Sequence, residues 1–148
     1  MGNFFSTIKK VNFEDVQLIC KNTFPTNINS IMINTLDIIE QKCLITGTIS
    51  AHDEEKIINQ YINKKHFDIY IIIYGKNCND DDGKISKKYT QLKKLGFTNI
   101  YIYIGGLFEW LLLQDIYGND EFPTTIKEHD ILKYKTSSLM TNHKYISL

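Results

Sequence analysis

Two short runs, IYIIIY at 69–74 and NIYIYI at 99–104, constrain this chain more than any other feature. The first is apolar or aromatic at every position, so it has no polar face to give to water. A strand of that kind must be covered on both sides, as in parallel sheets whose crossover helices lie over both faces. The segment between the runs provides a crossover. KISKKYTQLKKLGF, 84–97, sets Ile85, Tyr89, Leu92 and Leu95 at helical spacing and places Gly96 where a helix C′ residue belongs. Strands alternating with helices predict a single α/β domain, a parallel β-sheet flanked by helices.

Other segments extend the alternation. VNFEDVQLICKN (11–22) predicts a short helix with Asn12 as N-cap, Asp15 at N3, and Val16, Ile19 and Cys20 facing inward. SIMIN (30–34) predicts a strand, and KCLITGTI (42–49) another short one. In SAHDEEKIINQYINKK (50–65) Ser50 caps a helix, acids fill its first turn, and Ile57, Ile58, Tyr61 and Ile62 line one side. After Gly105-Gly106 comes LFEWLLLQDIY (107–117), apolar nearly all round, with Trp110 assigned to the core and Gly118 as its stop. The tail, 119–148, carries a capping-box pattern at Thr125 and Glu128 but little periodicity, and reads as an extension that wraps the domain or frays.

Composition narrows the function classes. Seventeen basic residues balance seventeen acidic ones, so net charge gives no reason to expect nucleic acid as a partner. Every basic residue is Lys, which removes any mechanism that needs a guanidinium fork on phosphate or carboxylate. Cys20, Cys43 and Cys78 are odd in number and show no CxxC spacing, arguing for a reducing, cytoplasmic setting. His52, His66, His129 and His143 are scattered, so no metal site and no cofactor are expected. No apolar run approaches the roughly 20 residues of a membrane span. The opening MGNFFS matches the pattern for acylation at Gly2, with Ser6 in the favoured place, so membrane contact is expected only through that lipid. Without it, Phe4 and Phe5 would pack onto the domain.

The second half of the chain resembles the rhodanese family. IIIYGKN, Leu92, Leu95-Gly96-Phe97, Asn99–Ile104, Gly105-Gly106 and Trp110 follow that family's order of strand, loop, "L…LGF" helix, strand and "GG…W". Upstream, CLITGTI (43–49) looks like a weakened "GHIPGAI", and Asn34-Thr35-Leu36 stands where the family has Asp-x-Arg. The resemblance covers about residues 11–118 and implies a rhodanese-like domain there, with 1–10 as an N-terminal segment and 119–148 as an extension. It looks closest to divergent rhodanese-like proteins of large DNA viruses and some protists.

In that family the first loop residue after the buried strand is a Cys that accepts sulfur, and loop amides cradle the resulting anion. Gly75 occupies that position here and has no atom to carry sulfur. The resemblance therefore implies a vestigial loop, Gly75, Lys76, Asn77 and Cys78, in a catalytically inactive binding or regulatory module. Gly75, Lys76 and Asn77, with Gly105 and Gly106 beside them, would receive a small anion or a protein partner. The alternative is a sulfurtransferase using Cys78 as a displaced acceptor, assisted by Lys76. Asp80, Asp81 and Asp82 count against it, because an acidic loop repels a donor such as thiosulfate. The Asp run fails as a calcium loop, since Cys78 and Tyr89 would hold its first and last ligand positions. Its expected work is to cap the 84–95 helix, with one carboxylate lying where an active relative would hold substrate. The family's phosphatase variant needs a leading Cys and a closing Arg in this loop, and neither is present.

Overall fold

The computed structural model describes residues 8–21 and 29–141. Along the chain these form β1 (Lys9–Val11), α1 (Phe13–Cys20), β2 (Ser30–Asn34), α2 (Ala51–Asn63), β3 (Tyr70–Tyr74), α3 (Lys84–Lys94), β4 (Asn99–Tyr103) and α4 (Gly106–Tyr117). Tight 3-10 turns lie at Ile38–Glu40 and Ile131–Tyr134. The four strands pair in the order β1-β4-β3-β2, all parallel. β3 runs between β2 and β4, with Ile73 opposite both Ile33 and Ile102, and Ile71–Tyr74 are all buried. The continuous apolar run is thus a central strand, as its lack of a polar face demands.

Alternation along the strands sends odd and even positions to different cores. Ile31, Ile33, Ile71, Ile73, Ile100 and Ile102 face Ile58 of α2 and Ile85 and Leu92 of α3. Met32, Ile72, Tyr74, Tyr101 and Tyr103 face Val16 of α1 and Leu107, Trp110 and Leu111 of α4. The pattern NIYIYI is therefore a strand with an isoleucine side and a tyrosine side.

Local signals act as read at several places. Asn12 and Asp15 exchange both hydrogen bonds of a capping box, and Ser50 accepts from the Asp53 amide. Gly96 (φ 111) and Gly118 (φ 98) end α3 and α4 in conformations that disfavour a side chain.

Elsewhere the fold departs from the expectation. Residues 42–49 form no strand. Thr48 turns back on Ile45 through Gly47 (φ 96), leaving only isolated bridges from Thr48 to Met32 and from Ile45 to Thr124. β1 begins at Lys9, inside the segment read as N-terminal to the domain. Thr125 and Glu128 start no helix, because Thr125 donates to the Lys42 carbonyl and accepts from the Leu44 amide instead. The tail supplies core residues: Phe122 lies 5.0 Å from the Trp110 ring, and Tyr134 is buried. Gly2, Phe4, Phe5, Ser6 and His143 lie outside the described residues.

Candidate functional site

Parallel strands bring the loops after β2, β3 and β4 to one end of the sheet, the usual place for a site in such folds. The loop after β3 starts at Gly75, which is buried. A Cβ built there would lie 2.9 Å from the Ile85 terminal methyl and 3.1 Å from the Thr35 hydroxyl. The first position of the loop is thus backed by α3 at contact distance.

The loop carbonyls are engaged from behind. Gly75 and Lys76 accept from the amides of Leu107 and Phe108, at 3.0 and 2.9 Å, so the loop itself caps α4. Gly106 makes this approach feasible. A side chain on it would come within 2.8 Å of the Gly75 carbonyl oxygen, and its φ of 67° also favours glycine. Asn77 is buried, donates to the Tyr134 carbonyl at 2.9 Å and accepts from the Asn79 amide at 2.9 Å. Gly75, Lys76, Asn77 and Gly106 therefore meet, tied to the tail. Gly105 stands slightly apart, with the Glu109 carboxylate folded over it; Glu109 accepts from the Tyr103 hydroxyl at 2.8 Å.

The acidic run closes the opposite side. Asp80 accepts from the amides of Ile85 (2.9 Å) and Ser86 (3.0 Å) and from the Ser86 hydroxyl (2.7 Å). Asp82 takes the Lys84 amide at 3.1 Å, and the Lys87 amide goes to the Gly83 carbonyl. Every amide in the first turn of α3 has an internal acceptor. The positive end of this helix, where an anion would otherwise settle, is filled by a side chain of the chain itself.

A cleft of about 200 Å³ lies beside the loop, walled by Thr35–Asp37 and Glu40, by the loop, and by Lys135 and Ser137 of the tail. Cys78 does not line it; the thiol is on the exposed outer side, with only a long 4.0 Å contact to Asn79. Lys76 points to Glu40 at 3.3 Å rather than to Cys78. Lys84 pairs with Asp37, and this contact holds the Asp37 carboxyl below its ordinary value and Lys84 above its own. Among the described residues no group of His, Cys, Asp and Glu could hold a metal ion.

Sequence reasoning missed Asp37, Glu40 and Lys135. Asp37 follows directly on Asn34-Thr35-Leu36 and Glu40 lies one turn further on, and that nearness was the available signal. Lys135 arrives from the tail, where no local pattern predicts its return.

No protein-family model matches the chain, and no curated protein does. Solved structures do. The Alr3790 protein from Anabaena is 17% identical over 84% of this chain and 100% of its own, with a TM-score of 0.54. The rhodanese-like domain of Alr3790, solved by NMR, is 16% identical over 90% of this chain and 96% of its own, at 0.50. Yeast (Saccharomyces cerevisiae) Ygr203w, described as a homologue of single-domain rhodanese and the Cdc25 phosphatase catalytic domain, is 11% identical over 88% of this chain and 96% of its own, at 0.56. Identities this low speak to architecture alone, and on that count the chain has the fold of rhodanese-like domains.

Proposed function

We propose that this domain is a binding or regulatory module on the rhodanese-like fold, without sulfurtransferase chemistry of its own. The observation that carries the reading is the Asp80 carboxylate, which takes two amides and a hydroxyl at the start of α3. A thiosulfate or persulfide anion there would have to displace a tethered carboxylate that already satisfies those donors. Gly75 adds the lack of an acceptor atom, and the loop has neither the leading Cys nor the closing Arg that phosphoryl transfer on this architecture requires. The ligand we infer is a protein partner rather than a small anion. Three free cysteines support a reducing, cytoplasmic setting, and no helix among the described residues is long and apolar enough to cross a membrane. We assign membrane contact only to acylation at Gly2, and we group the chain with divergent viral or protist rhodanese-like proteins on its resemblance to them.

Exposure of Cys78 favours one second reading, a sulfur acceptor on the loop's outer surface. Intact-mass analysis after incubation with a sulfane-sulfur donor separates the two, run on wild type and Cys78→Ser. The module reading expects no added sulfur in either protein. Gain of one sulfur in wild type alone would replace it with the enzyme reading. Iodoacetamide near neutral pH is expected to label Cys78 first. Cys20 is pushed up to about 11 by burial and Cys43 is buried, so both stay protonated and slow.

A further inference from the structure

We propose that Ile38 and Ile39, beside the acid-rich cleft, dock a short segment of another protein carrying an apolar residue flanked by lysines or arginines. The inference rests on the module reading and names its partner class. Ile38 and Ile39 are 83% and 85% exposed, the highest values among the large apolar side chains described. They sit side by side on the 3-10 turn that follows β2. The turn does not need them. Its backbone closes through Glu40 to Asp37 and Gln41 to Ile38, and the Gln41 side chain ties it to the Leu36 carbonyl at 2.9 Å. Polar residues would serve those bonds equally well and would avoid the cost of apolar surface left in water.

The pair is also held in place. Asp37 before it is paired with Lys84, and Glu40 after it with Lys76, so ion pairs on both flanks pin the turn against the loop and α3. A partner would meet a pre-positioned apolar knob rather than a segment it must order.

Charge selects the occupant. Asp37, Glu40, Asp80, Asp81 and Asp82 surround the cleft beside this turn, against Lys76, Lys84 and Lys135, an excess of two negative charges. Asp81 is exposed and makes none of the ion pairs described. A cationic segment complements this field, whereas an anionic lipid surface is repelled by it. A second copy meeting face to face would set the same negative excess against itself.

The test uses isotope-labelled protein and synthetic peptides of roughly ten residues, titrated to about 1 mM. One peptide has a central Leu pair between lysines, a second has Ser for Leu, and a third has Glu for Lys. The expected result is amide shifts at 37–40 and 80–82 with the first peptide, and binding at least tenfold weaker with either of the others. Ile38→Ser/Ile39→Ser is expected to lose the same binding at unchanged melting temperature, since neither side chain is in the core. The proposal is overturned if no peptide produces shifts, if the Ser peptide binds as well as the Leu one, or if the shifts lie elsewhere. Sedimentation showing a wild-type dimer that the double variant loses would give the knob to a second copy and also overturn it. Sulfur uptake by Cys78 would end the module reading whatever the peptides do. Absence of both sulfur uptake and peptide shifts sinks the docking inference alone.

Discussion

The two sides of the sheet are built on different principles. One is almost entirely isoleucine and leucine, contributed by strands and by α2 and α3 at regular spacing, and it asks for no hydrogen bonds. The other sets Tyr74, Tyr103, Trp110, Phe122 and Tyr134 among aliphatic side chains and must find partners for its polar atoms. Tyr74 accepts from the Ile45 amide at 3.2 Å and bonds Thr48 at 2.8 Å, Trp110 donates to the Pro123 carbonyl at 3.1 Å, and buried Gln114 donates to Phe122, Asn119 and Thr124. The aliphatic side is tolerant because area alone stabilises it. The aromatic side is specific, and the partners of Tyr74, Trp110 and Gln114 lie on segments with no regular structure.

That contrast predicts the largest effect at Trp110. Trp110→Ala should cost about 3–5 kcal/mol and loosen the tail from Pro123 onward. Ile73→Val on the other side should cost only about 0.5–1.5 kcal/mol and leave the tail protected. Denaturant titration with amide exchange at 122–134 checks both; equal tail protection in the two variants would erase the distinction.

Next comes the Tyr74 hydroxyl. Tyr74→Phe should cost about 1–3 kcal/mol, because the Ile45 amide is left buried without its acceptor. Alkaline pH sharpens the same point. Burial pushes the Tyr74 and Tyr103 phenols above their ordinary value of 10.0, so the folded state keeps protons that the unfolded chain releases. Their contribution to stability is complete below pH 10.0 and falls as pH rises beyond it, by up to about 1.4 kcal/mol per pH unit for each tyrosine. Tyr74→Phe should flatten that slope in urea melts at successive alkaline pH values. An unchanged slope would mean that Tyr74 ionises in the folded state as readily as in the unfolded chain.

A smaller change in stability than at Trp110 or Tyr74 is expected at Asp80, on the aliphatic side. Asp80→Ala should cost about 0.5–2 kcal/mol as a lost helix cap. It should also create weak sulfate or thiosulfate binding, absent from wild type, that calorimetry or amide shifts at Ile85 and Ser86 would register. A variant that binds no anion would show that the carboxylate caps a helix and guards nothing.

The same contrast explains what could be read in advance. Ile71, Ile73, Ile58, Leu92 and their helices announce themselves by spacing, and the caps at Asn12 and Ser50 and the stops at Gly96 and Gly118 are local codes. Even the absence of a side chain at the first position of the loop after β3 is visible in the single letter at 75. Nothing local announces Phe122, Tyr134 or Lys135, because their roles depend on where a long aperiodic segment returns. CLITGTI failed for the opposite reason: its composition suits a strand, but apart from one bridge to Met32 of β2 its backbone hydrogen bonds go to the tail and back to itself. The direction of Lys76 was equally hidden, since Glu40 reaches it only once β2 and β3 are paired.

Asp80 has one more consequence. A carboxylate on a short tether faces its donors at an effective concentration set by the tether, millimolar or higher, regardless of what the surrounding solution contains. A free anion must reach comparable levels merely to compete, and it gains no donor that the tethered group has not already engaged. Fluctuations in dissolved phosphate, sulfate or sulfane sulfur should therefore pass this domain unnoticed. A ligand for the start of α3 must bring contacts beyond those that Asp80 already makes.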